Sequence, residues 1–285
     1  MSESRFRIGS ALALALAVGL FAVLRLGAPI GGLVFAITFA VSAIVAMVPV
    51  WRRSRVVSAP FPNAYRAILV KDVEAYRRLS SIDKKRFESD VAIFLAEQNI
   101  TGPRGESIDD ELRVLVAASA TIVAFGRPGF HYPKTRDVVV YEGTFDEHYA
   151  VGGKDANVLG MVHGAGPILF SARALREGFR QPHDANNVGL HEFAHVLDFE
   201  SGRADGVPAF MPWQSVKPWI ALMHAETKRI EHHQSVLRDY AATNEAEFFA
   251  VATEMFFEQP ERLKSKQPKL YEILRATYGQ DPIQR

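Results

Sequence analysis

Two long stretches of this chain carry no charged side chain, and they stand almost back to back at its start. The first, IGSALALALAVGLFAVL, runs from Ile8 to Leu24; the second, IGGLVFAITFAVSAIVAMVPVW, runs from Ile30 to Trp51, with RLGAP between them. Lipid offers no partner to a backbone N–H or C=O, so uncharged runs of this length are compatible with helices and with little else. Crossing a bilayer takes ~20 apolar residues, within a range of ~17–25. The second run reaches that length and the first is marginal. Arg5 and Arg7 flank the first run, Arg52, Arg53 and Arg55 follow the second, and Arg25 lies in the turn. Positive charge at both outer flanks favours a transmembrane helical hairpin, with spans at about 8–24 and 30–51 and both ends in the cytoplasm. A cleaved signal peptide fits less well, because LGAP puts Leu26 at the −3 place and Pro29 just after Ala28. A single span with a peripheral first helix is a third arrangement, and a buried soluble hairpin a fourth. The expected division is a membrane anchor over 1–57 and a soluble domain over 58–285, facing the cytoplasm from the inner membrane.

The charge balance agrees with that division. The whole chain of 285 residues has a net charge of +1, but residues 1–57 hold six arginines and one acid, a net of +5. The remainder is mildly acidic, at −4, which argues against nucleic acid as a partner. There is no cysteine, so any metal must be held by His, Asp or Glu.

Beyond the apolar runs, SAPFPNAY (Ser58 to Tyr65) reads as a linker. Apolar residues at helical spacing predict helices over Asp83–Gln98 and Ile108–Phe125. Short β-branched runs bounded by glycine and proline predict strands at Asp137–Gly143, Asn157–Val162 and Pro167–Ser171. Helices are expected again at Ala172–Phe179, Asn187–Phe199, about Trp213 to His233, Asn244–Glu258 and Lys269–Tyr278. Helices, then strands, then helices imply an α+β domain with a small sheet beside the helix over Asn187–Phe199.

That helix contains HEFAH, His191 to His195. Residues four apart share a helix face, so His191 and His195 can aim two imidazoles at one ion. Glu192 is rotated ~100° from His191. It is off the ion but near a water bound to it, the arrangement of two zinc ligands and a general base. The bland reading is a buried helix whose histidines are hydrogen-bonded to neighbours. A catalytic zinc takes three protein ligands and leaves one position open. Downstream stand His224, His232, His233 and several acids. His232 and His233 sit in the polar stretch KRIEHHQSVLRDY and are expected at the surface. Glu247 lies among Phe248, Val251 and Met255, where an unpaired acid is costly. Asn244 three residues earlier has capping-box spacing, so Glu247 reads equally as a metal ligand or as a cap. Asp198, one turn after His195, either supports a ligand histidine or is a solvated helix-end acid. Asp205, before Gly206, either supports the site or makes a turn, and Asn244 is a further candidate supporting residue. Ile168, Leu169 and Phe170 form a candidate edge strand for an extended peptide; an interior strand is the alternative.

The segments HEFAHVLD, GRADGVP and YAATNEAEFFAVATEMFF, with GPILFS before them and YGQDP after, resemble the Mlc titration factor A family of zinc-dependent peptidases. The resemblance covers roughly residues 70–282. That family is related to the zinc domain of the lethal factor toxin. The resemblance implies a zincin-like fold, one Zn2+ per chain, and a glutamate as third ligand, here Glu247. It also implies a tyrosine seven residues earlier, here Tyr240, that steadies the oxyanion. A phenol can donate a hydrogen bond there. The expected activity is peptide-bond hydrolysis, aminopeptidase-like, on a peptide or protein substrate. The family's name implies a transcriptional repressor as partner, hence the alternative of a membrane-tethered, repressor-titrating protein with little or no catalysis. The apolar start of this chain departs from the soluble pattern of the family.

Overall fold

The computed structural model describes residues 3–132, 137–143, 160–162 and 166–284, and the chain divides into two compact units, 1–60 and 61–285. The first unit holds two helices, α1 (Glu3–Leu26) and α2 (Ala28–Ser58), joined at Gly27. Gly31 on α2 sits so close to α1 that an added Cβ would lie 2.1 Å from Val23 Cγ2. Small residues allow that approach of two apolar helices. α2 is long and apolar enough to cross a membrane; the apolar stretch Ala13–Arg25 of α1 is shorter. Leu33, Ile37, Val41, Ile44 and Val45 are all more than half exposed along α2. Exposed apolar side chains in a row of this kind suit lipid or a partner.

The second unit begins within the expected linker, which is shorter than its sequence suggests because α2 ends at Ser58 and a helix starts at Asn63. It comprises α3 (Asn63–Asp72), α4 (Glu74–Arg78), α5 (Ser81–Glu97), β1 (Ile100–Thr101), α6 (Asp110–Ala124), β2 (Val138–Tyr141), β3 (Gly160–Val162), β4 (Ile168–Ser171), α7 (Ala172–Arg180), α8 (Val188–Asp198), α9 (Trp213–Glu231), α10 (Glu245–Glu258), α11 (Pro260–Lys266) and α12 (Pro268–Tyr278). Side-chain caps set several boundaries. Ser80, Asp109 and Ser171 accept the N–H of Asp83, Leu112 and Ala174 at the starts of α5, α6 and α7. The two-residue β1 and the short α3, α4 and α11 were too brief to stand out by periodicity. Asn157 to Leu159, expected to begin a strand, lie outside the described residues.

The sheet has the order β1-β2-β4-β3; β1, β2 and β4 run parallel, and β3 is antiparallel to β4. This corrects the edge-strand expectation for Ile168, Leu169 and Phe170. β4 is an interior strand: Leu169 pairs with Val139 on one side and Met161 on the other. All four residues of β4 are buried. A strand covered on both faces reads as a continuous apolar run, which is what ILFS is. Among the described residues, the unpaired edge beyond β4 belongs to β3.

Two aromatic clusters position α8 and α10. Phe193 on α8 packs against Phe94, Tyr132 and Phe170, at ring-centroid distances of 5.6, 5.3 and 5.9 Å. This seats the motif helix on the sheet. Phe248, Phe249 and Phe256 on α10 pack with Trp219 and Tyr278, from α9 and α12. Edge-to-face and offset pairs of this kind add to the burial they bring.

Candidate active site

α8 begins where Asn187 accepts the N–H of Leu190 through its side chain (3.2 Å). Gly189 follows because α6 crosses there: an added Cβ would stand 2.1 Å from Ser119 Oγ. The close crossing sinks the first turn of α8 into the core. His191 is only 7% exposed and Glu192 only 4%. α10 approaches from the other side. Asn244 accepts the backbone N–H of Glu247 (2.9 Å), capping α10. The capping-box alternative is thus half realised. Glu247's amide takes the cap, while its carboxylate turns to the histidines.

His191 Nε2 and His195 Nε2 lie 3.1 Å apart. Glu247 Oε2 lies 3.0 Å from the first and 3.5 Å from the second. Donors at 2.0–2.1 Å from a tetrahedral zinc stand roughly 3.4 Å from one another. The three atoms therefore have the spacing of one face of a zinc coordination shell. Glu247 Oε2 and Glu192 Oε2 are buried without an aligned hydrogen-bond donor. Orphaned carboxylate oxygens beside two imidazoles are what a cation and its water would satisfy. Burial pulls the His191 imidazolium down, but the Glu247 and Glu254 carboxylates beside it outweigh that and push the pKa up to about 10. Burial pushes the Glu247 carboxyl up, yet His191 and His195 hold it well below the usual carboxylate range. The pocket draws positive charge, and the donor set fits zinc.

Burial outweighs the charges of His191 and His195 and pushes the Glu192 carboxyl up to about 7. That is the range in which a carboxylate takes and returns a proton near neutrality. Tyr240 lies in the 3-10 turn Asp239–Ala242, half exposed (51%), its ring centroid 6.0 Å from that of His191. Burial and the nearby Glu247 and Glu192 carboxylates raise its phenol, so the hydroxyl keeps its proton.

Sequence reasoning missed Glu254 and Arg238. His191 Nδ1–H donates to Glu254 Oε1 (2.6 Å), and Glu254 is fully buried. Its second oxygen accepts the Asn187 N–H (2.6 Å). A carboxylate on Nδ1 fixes the tautomer that leaves Nε2 a lone pair for a metal. Arg238 bonds Glu254 and Asn186, and its guanidinium lies 5.9 Å from the Tyr240 ring centroid. Glu254 stands seven residues after Glu247, on the same face of α10 two turns on.

The other candidates fall elsewhere. Asp198 is fully buried, but its Oδ2 accepts the Gly206 N–H (2.9 Å), tying the end of α8 to the following loop. It supports that loop, and the histidine support expected of it is supplied by Glu254. Asp205 is exposed and accepts the Val207 N–H (3.2 Å), a turn contact. His224, His232 and His233 are exposed.

A family model described as the glucose-regulated metallo-peptidase M90 matches residues 48–279. An uncharacterised Synechocystis protein, slr2042, is 28% identical over 82% of this chain and 90% of its own length. Proteins named Mlc titration factor A, from Salmonella arizonae and from Escherichia coli, are each 29% identical over 67% of this chain; the match covers 81% and 77% of their lengths.

Proposed function

This chain belongs to the glucose-regulated metallo-peptidase M90 family, and from that premise we propose that it is a membrane-anchored, zinc-dependent peptidase with a zincin-like catalytic unit. The observation that carries the reading is the convergence of His191 Nε2, His195 Nε2 and Glu247 Oε2 at the spacing of zinc ligands, with Glu192 on the same helix. Zinc held there would lower the pKa of a bound water towards ~7 and polarise a carbonyl. Glu192 takes the proton from the attacking water, returns it to the leaving amine, and is buried enough to do both near neutral pH. Tyr240, with its proton in place, donates a hydrogen bond to the oxygen on which charge develops. Glu254 holds His191 in its ligand tautomer. The edge of β3, unpaired among the described residues, is the proposed place for an extended peptide to add as a strand.

Two N-terminal helices flanked by arginines would hold the catalytic unit at the cytoplasmic face of the inner membrane. Aminopeptidase-like cleavage follows from the family resemblance alone. A second reading rests on the relatives named Mlc titration factor A: the unit captures a transcriptional repressor and hydrolyses little.

The deciding experiment pairs two variants of the detergent-solubilised chain. Glu192→Gln should bind one zinc per chain and lose hydrolysis of reporter peptides by at least 100-fold, because only the base is removed. Glu247→Ala should lose most of its zinc by atomic emission. Full activity in Glu192→Gln would sink the mechanism. Repressor capture undiminished by Glu192→Gln, with no peptide cleaved by the parent, would favour the second reading.

A further inference from the structure

A cleft enclosing about 80 Å³ and open on one side lies against the N-terminal end of α8 and shares no residue with the metal site. Its walls are apolar, with Leu79, Phe87, Phe125, Phe179 and Leu190 among them. One wall carries Glu258, only 6% exposed. Glu258 Oε1 accepts from Asn187 Nδ2 (3.0 Å) and Oε2 from the Asn186 N–H (3.2 Å), both neutral donors. The charges it feels most are those of Asp184 and Glu254, both negative. The other charged groups in the walls are already matched: Arg78 pairs with Glu74, and His183 Nε2 lies 3.2 Å from Glu74 Oε2. A carboxylate in an apolar wall with no cationic partner is expensive to ionise. It selects for whatever brings a positive charge and can desolvate alongside it.

We propose that this cavity is a binding site for a small organic ammonium with an apolar body, its nitrogen against Glu258 and its hydrocarbon against Phe179, Phe125 and Leu190. The charge and the walls select together. A carboxylate ligand would meet Glu258 as a like charge, and a neutral hydrocarbon would leave it unpaired. Occupancy has a route to the active site. Asn187, which bonds Glu258, also caps α8 and donates its N–H to Glu254, the carboxylate on His191. The site stands independently of the peptidase reading; its effect on the metal rests on that reading.

The test is calorimetric titration of the full chain in detergent, first stripped of metal, with n-hexylammonium as the probe and hexan-1-ol and hexanoate as comparators. Two variants serve as references: Glu258→Gln, and Ala75→Trp, which plugs the rim from an exposed position on α4. Subtracting a variant's titration removes partition into micelles. The expected result is saturable 1:1 binding of hexylammonium to the parent, at least tenfold weaker in each variant, with no saturable binding of hexanoate. Identical titrations of parent and variants, or hexan-1-ol binding as tightly as hexylammonium, would overturn the site. Repeating the titration on zinc-loaded protein tests the coupling. Linkage requires that an amine felt at His191 change its own affinity when zinc is bound, and a coupling of the usual size is fivefold or more. An unchanged affinity would overturn the coupling and leave the site.

Discussion

Glu254 shows how much one buried carboxylate can decide. It is fully buried, it pairs with the partly exposed Arg238, and its oxygens hold His191 Nδ1 and the Asn187 N–H. Replacing it with Gln keeps the shape but weakens the pull on the Nδ1 proton. Supporting residues of this kind typically contribute 10–100-fold in metal affinity. Glu254→Gln is therefore expected to bind zinc 10–100-fold more weakly than the parent in competition with a chelating dye. An unchanged affinity would mean that His191 needs no support. Glu192 and Glu247 illustrate the opposite use of burial. In one carboxyl burial outweighs the pull of the two imidazoles and pushes it up to about 7; the other, within hydrogen-bonding distance of both, is held low. Environment separates a base from a ligand of the same residue type.

The elements that carry these residues differ in how openly they announce themselves. The periodicity of α8 and the paired histidines were legible because a helix repeats every 3.6 residues and each residue reports its own face. β4 was legible as a strand but not as an interior one: β3 lies just before it in the chain, but β2, the parallel partner on its other side, comes from some thirty residues earlier. The end of α10 adds a measurable property. Burial pushes the Glu258 carboxyl from 4.5 to about 8. Below pH 4.5 the group is protonated whether the chain is folded or not, so its burial carries no ionisation penalty. Between 4.5 and 8 the unfolded chain ionises first and stability falls as pH rises; above 8 the full penalty is present. Glu258→Gln keeps an acceptor for Asn187 and cannot ionise. Its melting temperature should match the parent near pH 4 and exceed it progressively towards pH 8. A difference that stays flat across that range would show that Glu258 does not titrate as described.

At the scale of the molecule, the proposed anchor would give the two units different solvents. Full-length chain is expected to sediment with membranes and resist extraction by high salt, whereas residues 61–285 expressed alone should stay in the soluble fraction; a soluble full-length chain would remove the anchor. Zinc should stabilise the catalytic unit, because the folded state brings its ligands together from α8 and α10. At a free concentration 100 times its Kd, zinc would add about 2.7 kcal/mol. Chelation should lower the thermal midpoint of the parent and leave that of Glu247→Ala nearly unchanged. By itself the sequence determined what local rules can carry: the apolar N-terminal runs, the helix with His191, Glu192 and His195, and the Asn244 cap; family resemblance added the expectation that Glu247 and Tyr240 act with them. Tertiary structure decided what depends on elements meeting. It brought Glu247 Oε2 within 3.0 Å of His191, put Glu254 behind that histidine, set β4 between β2 and β3, and sank Glu258 into an apolar wall. Those relations join residues far apart along the chain. Their energies depend on distance and burial, which spacing along a sequence does not report.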